Sequence, residues 1–390
     1  MAVLLLAAGV VATGLLSETG PAKSKARPAA SVTRPDGRWN VILISVDTLR
    51  ADRLGCYGYA RNTSPSIDRL AERGVRFEHA ITECPWTAPA HMTLFTGLYP
   101  TTHGVTSPGV RVWRGIPTLP EVFKKHGYRT FAFTGGGNVG ASYGFDRGFD
   151  RFVVPQEGKD GLKSCALDEA IDMAQKQIDA LPPEEPYFLF VHGYDVHAPY
   201  EAWEPWASRF KSPDSEPFKD YLREPIDFKQ RGVALTRGNI RFLSDLYDAG
   251  VAHADALLGS FFDFLDRRGE FRRSIVVLLS DHGEEFGEHG WVGHLGTVYP
   301  ECLRVPLVIV APGLPPGIST HGVGLRDVMP TLLELAGMPS PQTDGRSLVR
   351  LLRGEPMQPW PLFSETDFGA RLRSLIWDGH QLIREAYDPA

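Results

Sequence analysis

Cysteine is scarce in this sequence. Four in 390 residues cannot frame a fold, and Cys56, Cys84, Cys165 and Cys302 share no short metal-binding spacing. Charge of one sign is also missing. The 41 Lys and Arg against 47 Asp and Glu leave a formal −6, with no basic surplus to attract a nucleic acid. There is no internal repeat. The longest apolar run, residues 2–16 (AVLLLAAGVVATGLL), falls short of the roughly 20 residues of an ordinary membrane span. A hydrophobic content of 43% with 23% charged residues excludes a disordered polar chain. What remains is enough chain for one large α/β domain or two modest ones, and 40 Gly with 31 Pro suit a loop-rich enzyme.

The run 2–16 fits the apolar core of an export signal, although no Lys or Arg precedes it. Residues 17–38 are polar and Pro-rich, as in a tether. The expectation is a signal peptide or single membrane anchor over 1–17, a disordered tether over 18–38, and a chain working outside the cytoplasmic membrane. That means periplasmic, extracellular or tethered facing outward.

Beyond residue 38, apolar strands alternate with amphipathic helices. Strands are expected at 39–46, 75–81, 128–133, 187–191, 274–280 and 305–310, and helices at 66–73, 85–97, 118–126, 239–268 and 326–336. This order predicts an α/β domain over 39–358 with a mainly parallel sheet sandwiched by helices. Short apolar runs after residue 360 predict a small antiparallel subdomain over 359–390.

Three of the apolar runs end on an acidic residue: NVILISVD (Asp47), YFLFVHGYD (Asp195) and SIVVLLSD (Asp281). A strand-end Asp often does no more than cap the next turn. Open parallel sheets, however, bind ligands beyond the carboxyl ends of their strands. Five of the 12 His lie in two short windows, His192 and His197, then His282, His289 and His294. Carboxylates with imidazoles at strand ends point to a divalent metal site. In PWTAPAHMTLFTG, Thr87 opens a helix with Pro89 in its first turn. As an N-cap it would be structural. At a helix N-terminus beside a metal it would be a nucleophile on an anionic substrate.

Read together, these stretches resemble the sulfatase family of the alkaline phosphatase superfamily. The matching blocks are NVILISVDTLRADRLGCYGY, PSIDRLAERGVRFEHA, TAPAHMTLFTGLYPTTHGV, DVHAPY, SDHGEEFGEHGWVGH, ECLRVPLVIVAPG, DVMPTLLELAGMP and DGRSL. The resemblance implies an alkaline phosphatase-like fold and a metal held by Asp47, Asp281 and His282 with the Thr87 oxygen. It places Thr87 at the nucleophile and His91 where relatives carry the Arg that orients it. Asp195, His197 and His294 would meet the anionic group, with His197 or His294 protonating the leaving oxygen. Two departures stand out. Usual sulfatases oxidise Cys or Ser to formylglycine, and Thr87 cannot yield that aldehyde because its β-carbon carries a methyl group. Thr48 replaces a second metal-binding Asp. Two carboxylates, one imidazole and one hydroxyl suit Zn²⁺ or Mn²⁺ better than Ca²⁺, which takes roughly six to eight oxygens. A second metal at Asp195, His197 and His294 is the lesser alternative to direct substrate binding.

The expected activity is hydrolysis of sulfate esters through a covalent intermediate on Thr87. The alternative is a phosphodiesterase, or a transferase of phosphoethanolamine or phosphoglycerol, working through phospho-threonine. A non-catalytic binding protein ranks third. The substrate is expected to be a small anionic ester or a sulfated or phosphorylated glycan or lipid. Trp86, Trp113, Trp203 and Trp206 are candidates to line its pocket, or ordinary packing residues, and residues 201–235 form a candidate specificity loop.

Overall fold

The computed structural model describes residues 38–154, 167–219, 221–222 and 233–386. The 1–17 segment and nearly all of the 18–38 tether lie outside the described residues. Strands β1 (Asn40–Val46), β5 (Tyr187–Gly193) and β6 (Ser274–Leu279) are apolar almost without a break, and each of their residues is buried. Only a strand covered on both faces tolerates such a run, and these three are the adjacent centre of an eight-stranded sheet. Its order is β10 (Gly317–Gly324), β2 (Val75–Ile81), β9 (Leu307–Val310), β6, β1, β5, β3 (Arg129–Phe133) and β4 (Arg151–Val153). Within it β9 alone runs against its neighbours, β2 and β6. The fold is therefore the expected mainly parallel α/β sheet.

Side chains alternate across a strand, and here the alternation decides where the chemistry goes. Val41, Leu43, Phe188, Phe190, Val277 and Leu279 face one core, which they share with helix α2 (Thr87–Thr96). Ile42, Ile44, Val46, Val276 and Leu278 face the other, against α1 (Pro65–Ala71) and the long helix Arg237–Arg267. Burying each such aliphatic side chain contributes about 1.5–3 kcal/mol of transfer free energy. Ser45, Asp47, His192 and Asp281 continue the first parity, so the polar ends of β1, β5 and β6 emerge on the side of α2.

A short ribbon, β7 (Glu285–Phe286) with β8 (Val292–Gly293), follows β6. Strands β11 (Leu362–Thr366), β12 (Leu372–Trp377) and β13 (His380–Glu385) form the expected antiparallel appendage. It is tied to the exit of β2, where Ser364 Oγ donates to Thr82 O (2.7 Å) and Glu365 N to Glu83 O (2.8 Å).

The structure adds elements that the sequence pattern does not announce. Strand β5 runs on through His192 and Gly193. Strand β10, GISTHGVG, is a Gly-rich edge strand with no apolar alternation, and β4 has three residues.

Candidate active site

Asp47 follows the last residue of β1, and Asp281-His282 follows β6 by one residue. Because β1 and β6 are hydrogen-bonded neighbours, residues more than 230 positions apart meet. The ligand atoms of Asp47, Asp281 and His282 lie within 4.8 Å of one another, all three residues buried. Gly283 must be glycine for this turn, since a β-carbon there would stand 2.0 Å from Glu301 O. Helix α2 brings the fourth group. Thr87 Oγ1 lies 3.4 Å from Asp47 Oδ2 and 3.4 Å from His282 Nε2. Trp86 occupies the cap position and Thr87 is the first helical residue. The hydroxyl thus points to the strand ends, and Thr87 is not the N-cap.

The donor set fits a divalent cation. His282 Nδ1 donates to Gly283 O (3.0 Å), so the lone pair of the neutral ring is on Nε2, 3.3 Å from Asp281 Oδ2. Asp47 Oδ1 and Asp281 Oδ2 are buried without an aligned hydrogen-bond partner. Burial and the facing Asp281 carboxylate push the Asp47 pKa well up. Burial acts the same way on Asp281, but His282, His91 and His192 outweigh it and hold that group down. Burial pulls the His282 pKa down, and Asp281 and Asp47 more than reverse this. Carboxylates crowded out of water in this way ask for a cation.

His91 is one turn along α2 from Thr87. Its Nδ1 donates to Thr87 O (3.0 Å) and its Nε2 accepts from Ser45 Oγ (2.9 Å). Burial pushes its pKa down to about 3, so the ring is neutral. It braces the backbone of Thr87 rather than its hydroxyl. His197 and His294 stand together, ring centroids 5.0 Å apart, with His294 4.5 Å from His282. His197 Nδ1 donates to Ala198 O, leaving Nε2 free, and burial lowers its pKa to about 4. His294 Nδ1 is 3.0 Å from Glu284 Oε1, a fully buried carboxyl that the sequence reading did not single out.

Asp195 does not join the group. Its Oδ2 accepts from Leu167 N (2.6 Å), at the start of the helix Leu167–Ala180, and its Oδ1 lies 3.5 Å from His253 Nε2. Oδ1 has no aligned hydrogen-bond partner, and among the described residues Asp195, His197 and His294 do not bring their ligand atoms together as a metal group. Trp203 stacks on His253 at 3.9 Å, Trp113 is exposed, and Trp86 is buried beside Phe368. Cys84 is buried, its thiol pKa pushed up by that burial.

A family model described as "Sulfatase" matches residues 39–338. The chain belongs to the sulfatase family. It is 26% identical to the multifunctional alkaline phosphatase superfamily protein PehA of Trinickia caryophylli, over 88% of this chain and 82% of that one. It is also 26% identical to an arylsulfatase of Clostridium perfringens, over 80% and 78%. Its fold matches the crystal structure of a phosphonate monoester hydrolase of Agrobacterium radiobacter with a TM-score of 0.74 at 22% identity, over 89% of each chain. As a sulfatase-family protein it is a hydrolase of ester bonds, and the family is metal-dependent.

Proposed function

We propose that the chain hydrolyses esters of a singly charged tetrahedral anion, sulfate monoesters foremost, at a metal site and through a covalent ester on Thr87. The observation that carries this reading is the convergence of Thr87 Oγ1 on Asp47 and His282, 3.4 Å from each, at the start of a ten-residue helix. The unpaired N–H groups and positive dipole end of α2 draw the anionic group to the same point. Asp47, Asp281, His282 and Thr87 Oγ1 would hold the ion, and four mixed donors suit Zn²⁺ or Mn²⁺. When bound, the ion supplies Lewis acidity to the reacting oxygens.

The chain's own groups do the rest. Thr87 Oγ1 attacks the central atom, with Asp47 Oδ2 beside it to take the hydroxyl proton. Burial holds the His294 ring neutral and keeps the proton on Glu284, so Glu284 passes its proton to His294 Nδ1 as His294 Nε2–H protonates the departing oxygen. His197, with Nε2 free, accepts a proton from the water that then opens the Thr87 ester while Asp47 returns the hydroxyl proton to Thr87 Oγ1, and the His197 proton goes back through the adjacent His294 to Glu284. His91 keeps the first turn of α2 in place.

Charge sets the substrate class. Two carboxylates cancel a divalent ion, which leaves no surplus positive charge for a dianion. Sulfate monoesters, phosphodiesters and phosphonate monoesters are monoanions, whereas a phosphate monoester is a dianion near neutrality. A second reading, in which phosphorus rather than sulfur is transferred, is favoured by Thr87 itself, since its methyl group bars formation of the aldehyde.

Aryl sulfate, aryl phosphodiester and aryl phosphate monoester, assayed side by side with Zn²⁺, Mn²⁺ or Ca²⁺ added back, test both readings. The expected result is turnover of one or both monoanions well above the monoester. Preference for the monoester would sink the charge argument, and no turnover of any substrate by metal-loaded protein would sink the catalytic reading. Residues 2–16 further suggest that the work is done outside the cytoplasmic membrane. Recovery of the full-length chain solely in the cytoplasmic fraction would overturn that.

A further inference from the structure

His192 has no part in the mechanism above, yet it is fully buried against the proposed metal site. It lies in β5 opposite Ser45 of β1 in the parallel register, on the same face as Ser45 and Asp47. Its Nδ1 faces the Gly135 N–H at 3.4 Å, so Nδ1 accepts and the neutral ring carries its proton on Nε2. That Nε2 lies 3.4 Å from Asp47 Oδ2 and has no aligned partner, and Asp47 Oδ1 has none either. Open hydrogen-bonding atoms this deep in a fold need a reason. The ring is also held in place, edge-on to His91 at 4.8 Å and to Tyr194 at 4.7 Å. Yet His192 is not among the residues whose ligand atoms converge within 4.8 Å. It is placed beside a ligand, not as one.

We propose that His192 is a positioning residue for the metal centre: its Nε2–H, 3.4 Å from Asp47 Oδ2, closes onto that oxygen when Oδ1 takes the ion. This rests on the reading of Asp47 as a metal ligand. A carboxylate held at one oxygen while the other binds the ion cannot swing about its terminal torsion, so the bound ion does not lose that ligand. Partners of metal ligands typically contribute about 10–100-fold in affinity.

The test compares wild type, His192→Ala and His192→Gln, with Zn²⁺ alone as the probe. Affinity is read by chelator competition and metal content after dialysis, and metal-free thermal unfolding is followed alongside. His192→Ala is expected to lose about 10–100-fold in affinity, and His192→Gln, which keeps an N–H donor, to recover much of it. Unchanged affinity in His192→Ala overturns the proposal, as does an equal loss in both variants, the mark of a packing role. Should neither variant fold, ¹⁵N-histidine spectra of wild type decide. A proton on Nε2 with and without Zn²⁺ supports the proposal. A proton on Nδ1, or loss of the Nε2 proton when Zn²⁺ binds, overturns it. Wild type that binds no metal overturns the metal-site reading along with it, whereas wild-type binding that the variants match overturns the role of His192 alone.

Discussion

Thr87 and a serine would present the same hydroxyl from the first turn of α2, and alanine would keep the helix while removing it. Thr87 is fully packed, 1% exposed, so its methyl group contributes to the core while its oxygen faces Asp47 and His282. Thr87→Ala is expected to lower kcat by more than about 10³-fold, as loss of a nucleophile does, with the fold intact by circular dichroism. Thr87→Ser is expected to stay within about tenfold. Full activity in Thr87→Ala would remove the covalent step. His103 makes a prediction of a different kind. It is buried, its Nδ1 accepts from Val105 N (3.1 Å) and its Nε2 donates to Thr93 Oγ1 (3.1 Å). Burial pushes its pKa from 6.5 down to about 3. The unfolded chain therefore binds the proton first as pH falls. The stability owed to a neutral His103 is complete above about pH 6.5 and is lost on the way down to about 3, at up to about 1.4 kcal/mol per pH unit. His103→Gln is expected to flatten the fall in denaturant midpoint between pH 6.5 and 4.5 relative to wild type. Identical slopes would refute the assignment.

At the scale of elements, the C-terminal sheet does more than cover an edge. Leu295, next to His294, sits at φ 97, a conformation that costs a non-glycine residue about 1–3 kcal/mol. Thr366 Oγ1, at the end of β11, donates to Leu295 O (3.2 Å) and so helps to hold that backbone. Thr366→Val is expected to cost about 1 kcal/mol of stability and to reduce kcat several-fold with metal content unchanged, because His294 loses its support while the ligands do not. Lost stability with an unaltered kcat would confine Thr366 to a structural role. None of this coupling shows in the sequence, where residues 295 and 366 are merely distant. What could be read there was whatever leaves a local pattern. The apolar runs of β1, β5 and β6 mark central strands, and the residues that follow two of them, with the helix start at Thr87, mark the converging group. Asp195 carries the same local signature as Asp281, two residues past a buried strand, yet its carboxylate caps another helix. A sequence shows where a side chain is attached, not which neighbour it turns to. His192 stood in one of the two histidine windows, but what it does there was hidden for the opposite reason. Its role depends on a register across strands, and the buried run before it looked complete at Val191. Strand β10 stayed hidden because an edge strand rich in glycine has no apolar period to read.

For the whole molecule, the site is a junction of distant stretches. Asp47, Thr87 and Asp281-His282 come from the ends of two central strands and the helix packed across them. The net charge of −6 repels rather than steers an anionic ester, so attraction has to be local, from the ion and the α2 N-terminus. The same geometry makes the ion a fold-specific ligand. In the unfolded chain these groups are separated by up to 235 positions and cannot bind together, so the ion binds the native state almost alone. Without it, Asp47 is left buried against Asp281, which its raised pKa already registers as a cost. Stripping the metal with a chelator is therefore expected to lower Tm, and Zn²⁺ to restore it in a concentration-dependent way. Linkage sets the gain at about 2.7 kcal/mol when free ion stands at 100 times Kd. In Asp281→Asn, which keeps the shape but removes a ligand charge, the same titration is expected to move Tm far less. Scanning calorimetry of both proteins across a Zn²⁺ series checks this, and an equal rise in the two would place the bound ion away from β1 and β6.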